Sequence, residues 1–173
     1  VLVNAGTSTP RFISVQAEHA WGGIGNRSAY IGIDQDLADF AFTNALGISS
    51  YPYFSWDEPE DLPADYYSRL RGTSGLPVLV TEGGWTSASV AGSSVQSSPE
   101  KQARYFAKHA QLLDSVAATA YFQLLYADLD LSSFPPPIPA NLPLFAEIGL
   151  TDVSFSAKPA LAAWDALHAR PLA

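Results

Sequence analysis

The run PVLVTEGGW, residues 77–85, sets Val78, Leu79, Val80 and Thr81 directly ahead of a carboxylate, two glycines and a tryptophan. Apolar and β-branched residues in so short a run, bounded by Pro and Gly, read as a buried strand with Glu82 at its tip. By strand alternation Val78, Val80 and Glu82 point one way, and Leu79 and Thr81 the other. A sheet whose interior takes the first set carries Glu82 at its mouth. Gly83 and Gly84 leave room for a ligand there, and Trp85 offers a flat stacking face. The plainer alternative is a strand-end glutamate that caps a helix or meets an arginine.

Similar units flank this one. RFISVQAE, 11–18, reads as a strand, followed by the Gly-rich loop WGGIGN and a helix over 34–45 that stops at Gly47. GISSYPYF, 47–54, is a second strand. Pro52 cannot donate to a central ladder, so that strand ends near Tyr51. Pro63 opens a short helix, ADYYSRL. After the third strand, Ser98 caps a long helix with Pro99 in its first turn, and Ser97 with Glu100 also fits a capping box. Ala103, Phe106, Ala107, Ala110 and Leu113 form that helix's apolar stripe, which leaves His109 at the surface. TAYFQLLYA, 119–127, is a fourth strand, followed by a proline-rich loop. A last helix spans 156–169, with Trp164 on its core face and His168 outside.

Strands alternating with helices, each strand short and mostly apolar, give an α/β fold with a parallel sheet. Ligands of such sheets bind at the carboxyl ends of the strands. The residues at or beside those ends are Gln16, Glu18, His19, Trp21, Tyr51, Tyr53, Glu82, Trp85, Gln123 and Asp128. That mixture of acids, amides and aromatic rings suits a carbohydrate.

The 173 residues suffice for a single domain, 1–173, and 47 % apolar against 15 % charged residues describes a globular chain. A net charge of −8 makes nucleic acid an unfavourable partner. The acids crowd into residues 28–68, where Lys is absent and Arg appears only outside, which reads as a solvated acidic face rather than a cation site. Without cysteine there is neither a disulfide nor thiolate chemistry. No apolar run reaches membrane-spanning length, and no spacing suggests a metal or another cofactor. The chain has no methionine and starts at Val1, which suggests a processed chain or a fragment.

VLVTEGGW resembles the seventh strand of the large clan of retaining glycoside hydrolases built on the (β/α)8 barrel. FISVQAEHAWG is similar to that clan's fifth strand, ISSYPYF to the sixth and YFQLLYADLD to the eighth. FAEIGLTDVSFSAKPALAAWDAL is similar to its closing phrase. The endo-galactanase-like members are nearest. The resemblance implies a TIM-type half-barrel, (βα)4, equivalent to strands five to eight. It further implies Glu82 as nucleophile, with Tyr51 as the sixth-strand tyrosine that hydrogen-bonds it. The clan's acid/base glutamate follows an asparagine on strand four, and no Asn-Glu pair occurs here.

Glycoside hydrolysis needs two carboxyl groups. Glu18, beside the apolar ring of Trp21, is the best second one in this chain, either as a catalytic group or as a supporting hydrogen-bonding residue. Asp128 and Asp130 are weaker candidates. Trp85 is the expected sugar platform. Two readings follow: a glycosidase completed by a second copy or by a missing N-terminal half, or a carbohydrate-binding or structural half-barrel. Four strands cannot close a barrel, so a homodimer or a complementary half is the expected partner.

Overall fold

A computed structural model describes residues 9–24 and 29–170 of the chain; Val1 and residues 25–26 of the Gly-rich loop lie outside them. Four strands, β1 (Phe12–Gln16), β2 (Ala45–Ser50), β3 (Val78–Gly83) and β4 (Ala120–Tyr121), form one sheet in sequence order. All three pairings are parallel, with Ile13 beside Leu46, Ile48 beside Val80, and Val80 beside Tyr121. The helices are α1 (Ala17–Ala20), α2 (Asp34–Asp39), α3 (Tyr66–Arg71), α4 (Pro99–Ser115) and α5 (Pro159–His168).

The helices cover one face of the sheet. Val15, Leu46, Ile48, Val78 and Val80 are buried there with Tyr66, Tyr67 and Leu70 of α3, Tyr105, Phe106 and Leu112 of α4, and Ala160 of α5. Each fully buried aliphatic side chain contributes about 1.5–3 kcal/mol relative to exposure. Val78 and Val80 therefore belong to the helix side and not to the barrel interior that strand alternation from Glu82 suggested.

The opposite face carries Phe12, Ser14, Gly47, Leu79 and Thr81. Phe12 is 50 % exposed. Ser14 on β1 and Thr81 on β3 meet with their hydroxyl oxygens 2.7 Å apart, although β2 lies between their strands. Strands two apart in a flat sheet stand about 9.5 Å from each other, too far for two such short side chains. The sheet therefore curls toward this face, as the wall of a barrel does. Gly47 lies beneath the contact. A Cβ there would come within 2.8 Å of the Phe12 ring and 3.0 Å of the Thr81 methyl.

Element boundaries follow local chemistry. Ser98 caps α4, accepting from the Lys101 N–H at 3.3 Å. Ser97 does not form the alternative cap, because its hydroxyl serves Trp85 and the Thr86 carbonyl. The buried face of α4 is rotated from the expected stripe. Gln102, Tyr105, His109 and Leu112 join Phe106 and Leu113 inside, and Ala107 is exposed. His109 is thus wholly buried rather than at the surface, beside the Tyr67 hydroxyl at 2.9 Å. Burial pushes its imidazole down to about 3. The helix expected over 34–45 stops at Asp39, since Phe40 and Phe42 pair with each other at the surface instead of continuing a buried stripe. The acids of the 28–68 stretch are partly paired: Glu58 meets Lys101 and Arg104, and Glu60 meets Arg104.

Gly83 and Gly84 serve packing rather than ligand space. A Cβ on Gly83 would stand 2.3 Å from the Ser50 carbonyl oxygen, and Gly84 takes φ +156° against the Gln123 amide. Gly83→Ala must therefore push β3 from β2 and should destabilise the fold by about 2 kcal/mol or more, read from urea denaturation midpoints at constant m.

Candidate active site

The β2–β3 ladder shifts register between Ile48 and Ser49, so that Ile48 lies beside Val80 but Ser49 beside Glu82. Thr81 is the extra residue of a bulge. Its hydroxyl donates to the Ile48 carbonyl at 3.2 Å, and Ser14 then donates to Thr81. Thr81 and Glu82 consequently both face the uncovered side, and Glu82 is exposed at the carboxyl end of β3.

Ser49 Oγ donates to Glu82 Oε1 at 2.7 Å. The Tyr51 phenol lies close to the same carboxylate, and burial, followed by the adjacent Glu82 charge, pushes it well above its ordinary range. Its ring is 3 % exposed and packs edge-on against Phe145 at 4.9 Å, which holds the hydroxyl in place.

The network continues inward. Gln16 Oε1 lies 3.2 Å from Ser49 Oγ, and Gln16 Nε2 donates to Glu18 Oε2. Glu18 Oε1 accepts the Tyr51 N–H at 2.8 Å and the Tyr66 hydroxyl at 2.5 Å. Glu18 is wholly buried, and burial outweighs these donors to push its carboxyl up to about 7.

Of the residues expected at the site, Glu82, Tyr51, Gln16 and Glu18 come together. Glu18 does so in a different capacity from an acid that protonates a leaving group. It sits on α1, beyond the end of β1, with both oxygens engaged by protein donors and no exposed surface.

The expected aromatic platform is also corrected. Trp85 has no exposed surface; it packs on Tyr53 and Tyr105 and donates its indole N–H to Ser97 at 2.9 Å. Tyr53 is buried and donates to the Leu144 carbonyl. Trp21 stacks on Tyr66, donates to the Tyr66 carbonyl and lies under Arg69, so it docks α1 on α3. His19 is exposed on α1.

Gln123 is held by protein: it accepts from Tyr121 and donates to the Leu124 and Ile148 carbonyls. Asp128 is buried in an ion pair with Lys158 at 2.5 Å and accepts the Gly149 N–H at 2.9 Å. This pair joins the loop after β4 to the residue that precedes α5. Asp130 accepts from the Ser132 N–H and hydroxyl and shapes its own turn.

Two residues at the site were not expected. Ser49 follows Gly47 by two along β2 and so shares its face. Phe122 is 59 % exposed, and its N–H donates to the Val80 carbonyl beside the bulge. Strand alternation from Tyr121, whose ring packs against His109 and Trp164, turns Phe122 to the uncovered side. Counting alternation outward from the fully apolar Leu46 and Ile48 would have found Ser49.

No family model matches the chain, and no curated protein matches it. Solved structures do. A β-glucuronidase from Ruminococcus gnavus in complex with uronic deoxynojirimycin superposes with a TM-score of 0.58 at 15 % identity, covering 93 % of this chain and 27 % of that one. A β-glucuronidase from an uncultured Clostridium sp. gives 0.52 at 18 % identity, covering 75 % and 23 %. The chain spans about a quarter of the length of these proteins. Likeness at such identity shows the fold: parallel βα units arranged as in the barrel-type glycoside hydrolases.

The buried Glu18 makes a signed prediction. Its folded value of about 7 lies above the ordinary 4.5. Its contribution to stability is therefore fully present below the unfolded value and is lost as pH rises through the folded one, a change of about 3 kcal/mol. Glu18→Gln should remove that slope between about pH 4.5 and 7.5, read as unfolding free energy at several pH values. His109 pulls the opposite way, but equally in both proteins, so their difference isolates Glu18.

Proposed function

We propose that the chain is the nucleophile-bearing half of a glycoside hydrolase acting on β-linked oligo- or polysaccharides, with Glu82 as nucleophile. The observation that carries this reading is the placement of Glu82. An exposed carboxylate stands at the carboxyl end of β3, on the curled side of the sheet, with a hydrogen bond from Ser49 and the Tyr51 phenol beside it. The Ser49 hydrogen bond aims it, as attack on an anomeric carbon requires. Phe122 replaces Trp85 as the flat surface for the apolar face of a pyranose. The sequence likeness to endo-galactanase-like members makes β-linked galactan the first substrate to test.

A retaining mechanism places its second carboxyl about 5–5.5 Å from the nucleophile, to protonate the leaving oxygen and then activate water. Among the described residues the other carboxyl of the Glu82 network is the enclosed Glu18. The acid/base is therefore supplied by four further βα units that close the barrel. Closure also explains the uncovered surface. Phe12 and Phe122 stand exposed on the inner side, and Tyr121, Leu125, Tyr126 and Trp164 line an open groove of about 260 Å³ beside β4. A second copy of this chain suits the role poorly. It would place another Glu82 where the clan's third strand lies and leave the first without its partner. The competing reading, a carbohydrate-binding half-barrel, keeps the same cleft without turnover.

Light scattering and an aryl β-glycoside assay test this together. The chain alone should turn over slowly or not at all. Supplying a complementary four-unit half should restore hydrolysis, and Glu82→Gln should then lower kcat by about 10³-fold or more. Full activity from an 18.5 kDa monomer or a simple homodimer would overturn the completion by a different half.

Phe122→Ala should raise KM for an oligosaccharide about tenfold while changing kcat little, since stacking on one ring is worth about 1–2 kcal/mol.

A further inference from the structure

The buried acid beside the site has more hydrogen-bonding partners than a packing residue needs. Glu18 Oε1 faces two donors, the Tyr51 N–H and the Tyr66 hydroxyl, whereas Oε2 faces one, the Gln16 amide. Gln16 in turn faces Ser49, and Ser49 faces Glu82. Three side-chain hydrogen bonds thus connect a carboxyl with no exposed surface to one that meets solvent. Tyr51 also lies beside both groups, its N–H donating to Glu18 and its phenol close to Glu82.

Each protonation state of Glu18 calls for its own arrangement of this hydrogen-bond chain. With Glu18 ionised, Gln16 Nε2 donates to it, so Gln16 Oε1 is turned to Ser49. The single Ser49 proton then has two acceptors, Gln16 Oε1 at 3.2 Å and Glu82 Oε1 at 2.7 Å. With Glu18 neutral, its proton belongs on Oε2, because the backbone N–H facing Oε1 cannot turn away. That O–H donates to Gln16, whose amide must present its oxygen and therefore turn by half a rotation. Gln16 Nε2 then donates to Ser49 Oγ, and Ser49 gives its proton wholly to Glu82. The bonds run in one direction, from Glu18 outward, and strengthen one another.

We propose that Glu18 is a positioning residue whose proton sets the direction of the Gln16–Ser49 hydrogen-bond chain and thereby stabilises the charge on Glu82. Its meaning for catalysis rests on Glu82 being the nucleophile; its test does not. Glu18 is suited to hold a proton near neutrality. The groups that face it are polar but uncharged: Gln16 from β1, Tyr51 and Tyr53 from the segment after β2, Tyr66 and Tyr67 from α3, and Tyr105 from α4. His109 of α4, beyond Tyr67, is held neutral by burial. The remaining charge in reach is Glu82 itself.

The experiment is a carboxyl-carbon NMR titration of the full chain with labelled glutamate, in wild type, Glu18→Gln and Ser49→Ala. In wild type the Glu82 signal should show its own inflection and a second one coinciding with the titration of Glu18. The second should vanish in Glu18→Gln. In Ser49→Ala, where Glu18 still titrates, it should shrink at least threefold. A second inflection of full size in Ser49→Ala would mean coupling by way of Tyr51 or through space rather than through the Gln16–Ser49 chain and would overturn the proposal, as would its absence from wild type while Glu18 titrates. Ser49→Ala decides the matter even if Glu18→Gln fails to fold. Hydrolysis undiminished by Glu82→Gln in the completed barrel would sink the nucleophile reading while leaving this titration to stand or fall by itself.

Discussion

Between Ile48 and Ser49 the ladder takes in one more residue from β3 than from β2. A strand alternates its side chains strictly, so without that bulge Glu82 would follow Val78 and Val80 to the helix side, into a core of tyrosines and leucines. An ionised carboxylate without partners is costly there. The bulge spends Thr81 on the curled side and delivers Glu82 next to Ser49. Gly83 then lets β3 return against the Ser50 carbonyl, closer than any side chain permits. The register, the exposure of Glu82 and its Ser49 donor all follow from this local irregularity.

The curl of the sheet has an equally local cause. Gly47 has no side chain, so Ser14 and Thr81 can meet above it. On the other side, large rings keep the helices in place. Trp85 and Tyr105 pack together at 5.5 Å between ring centres, and Tyr105 stacks on His109 at 4.9 Å. Small residues inside and large ones outside bend a parallel sheet in the sense that a barrel needs.

The polar interior beneath the site is satisfied along one route. Tyr66, Gln16 and the Tyr51 backbone converge on Glu18, and a single serine passes the network to the surface. A buried acid tolerated in this way is expensive unless every lone pair is used. The ion pair of Asp128 and Lys158 is similarly enclosed, but it faces the loop before α5 and secures the last unit rather than the site.

The order of strands and helices was legible from sequence, because apolar runs, Pro and Gly punctuation and the Ser98 cap are local signals. So was Glu82 at a strand tip with Tyr51 near it, through the likeness of several phrases in order. Glu82 was expected on the inner side together with Val78 and Val80; that it lies on the face opposite to them was not legible, since one extra residue reverses alternation and a bulge leaves no mark in composition. Trp85 and His109 were misplaced for a related reason. An aromatic or imidazole side chain is equally at home in a core or a cleft, and only the packing of α4 against the sheet removes these two from water. Glu18 was named from its place at the tip of the first strand, beside His19 and Trp21. Its enclosure depends on Tyr66, 48 residues away, whose hydroxyl closes over the carboxylate once α1 and α3 have docked.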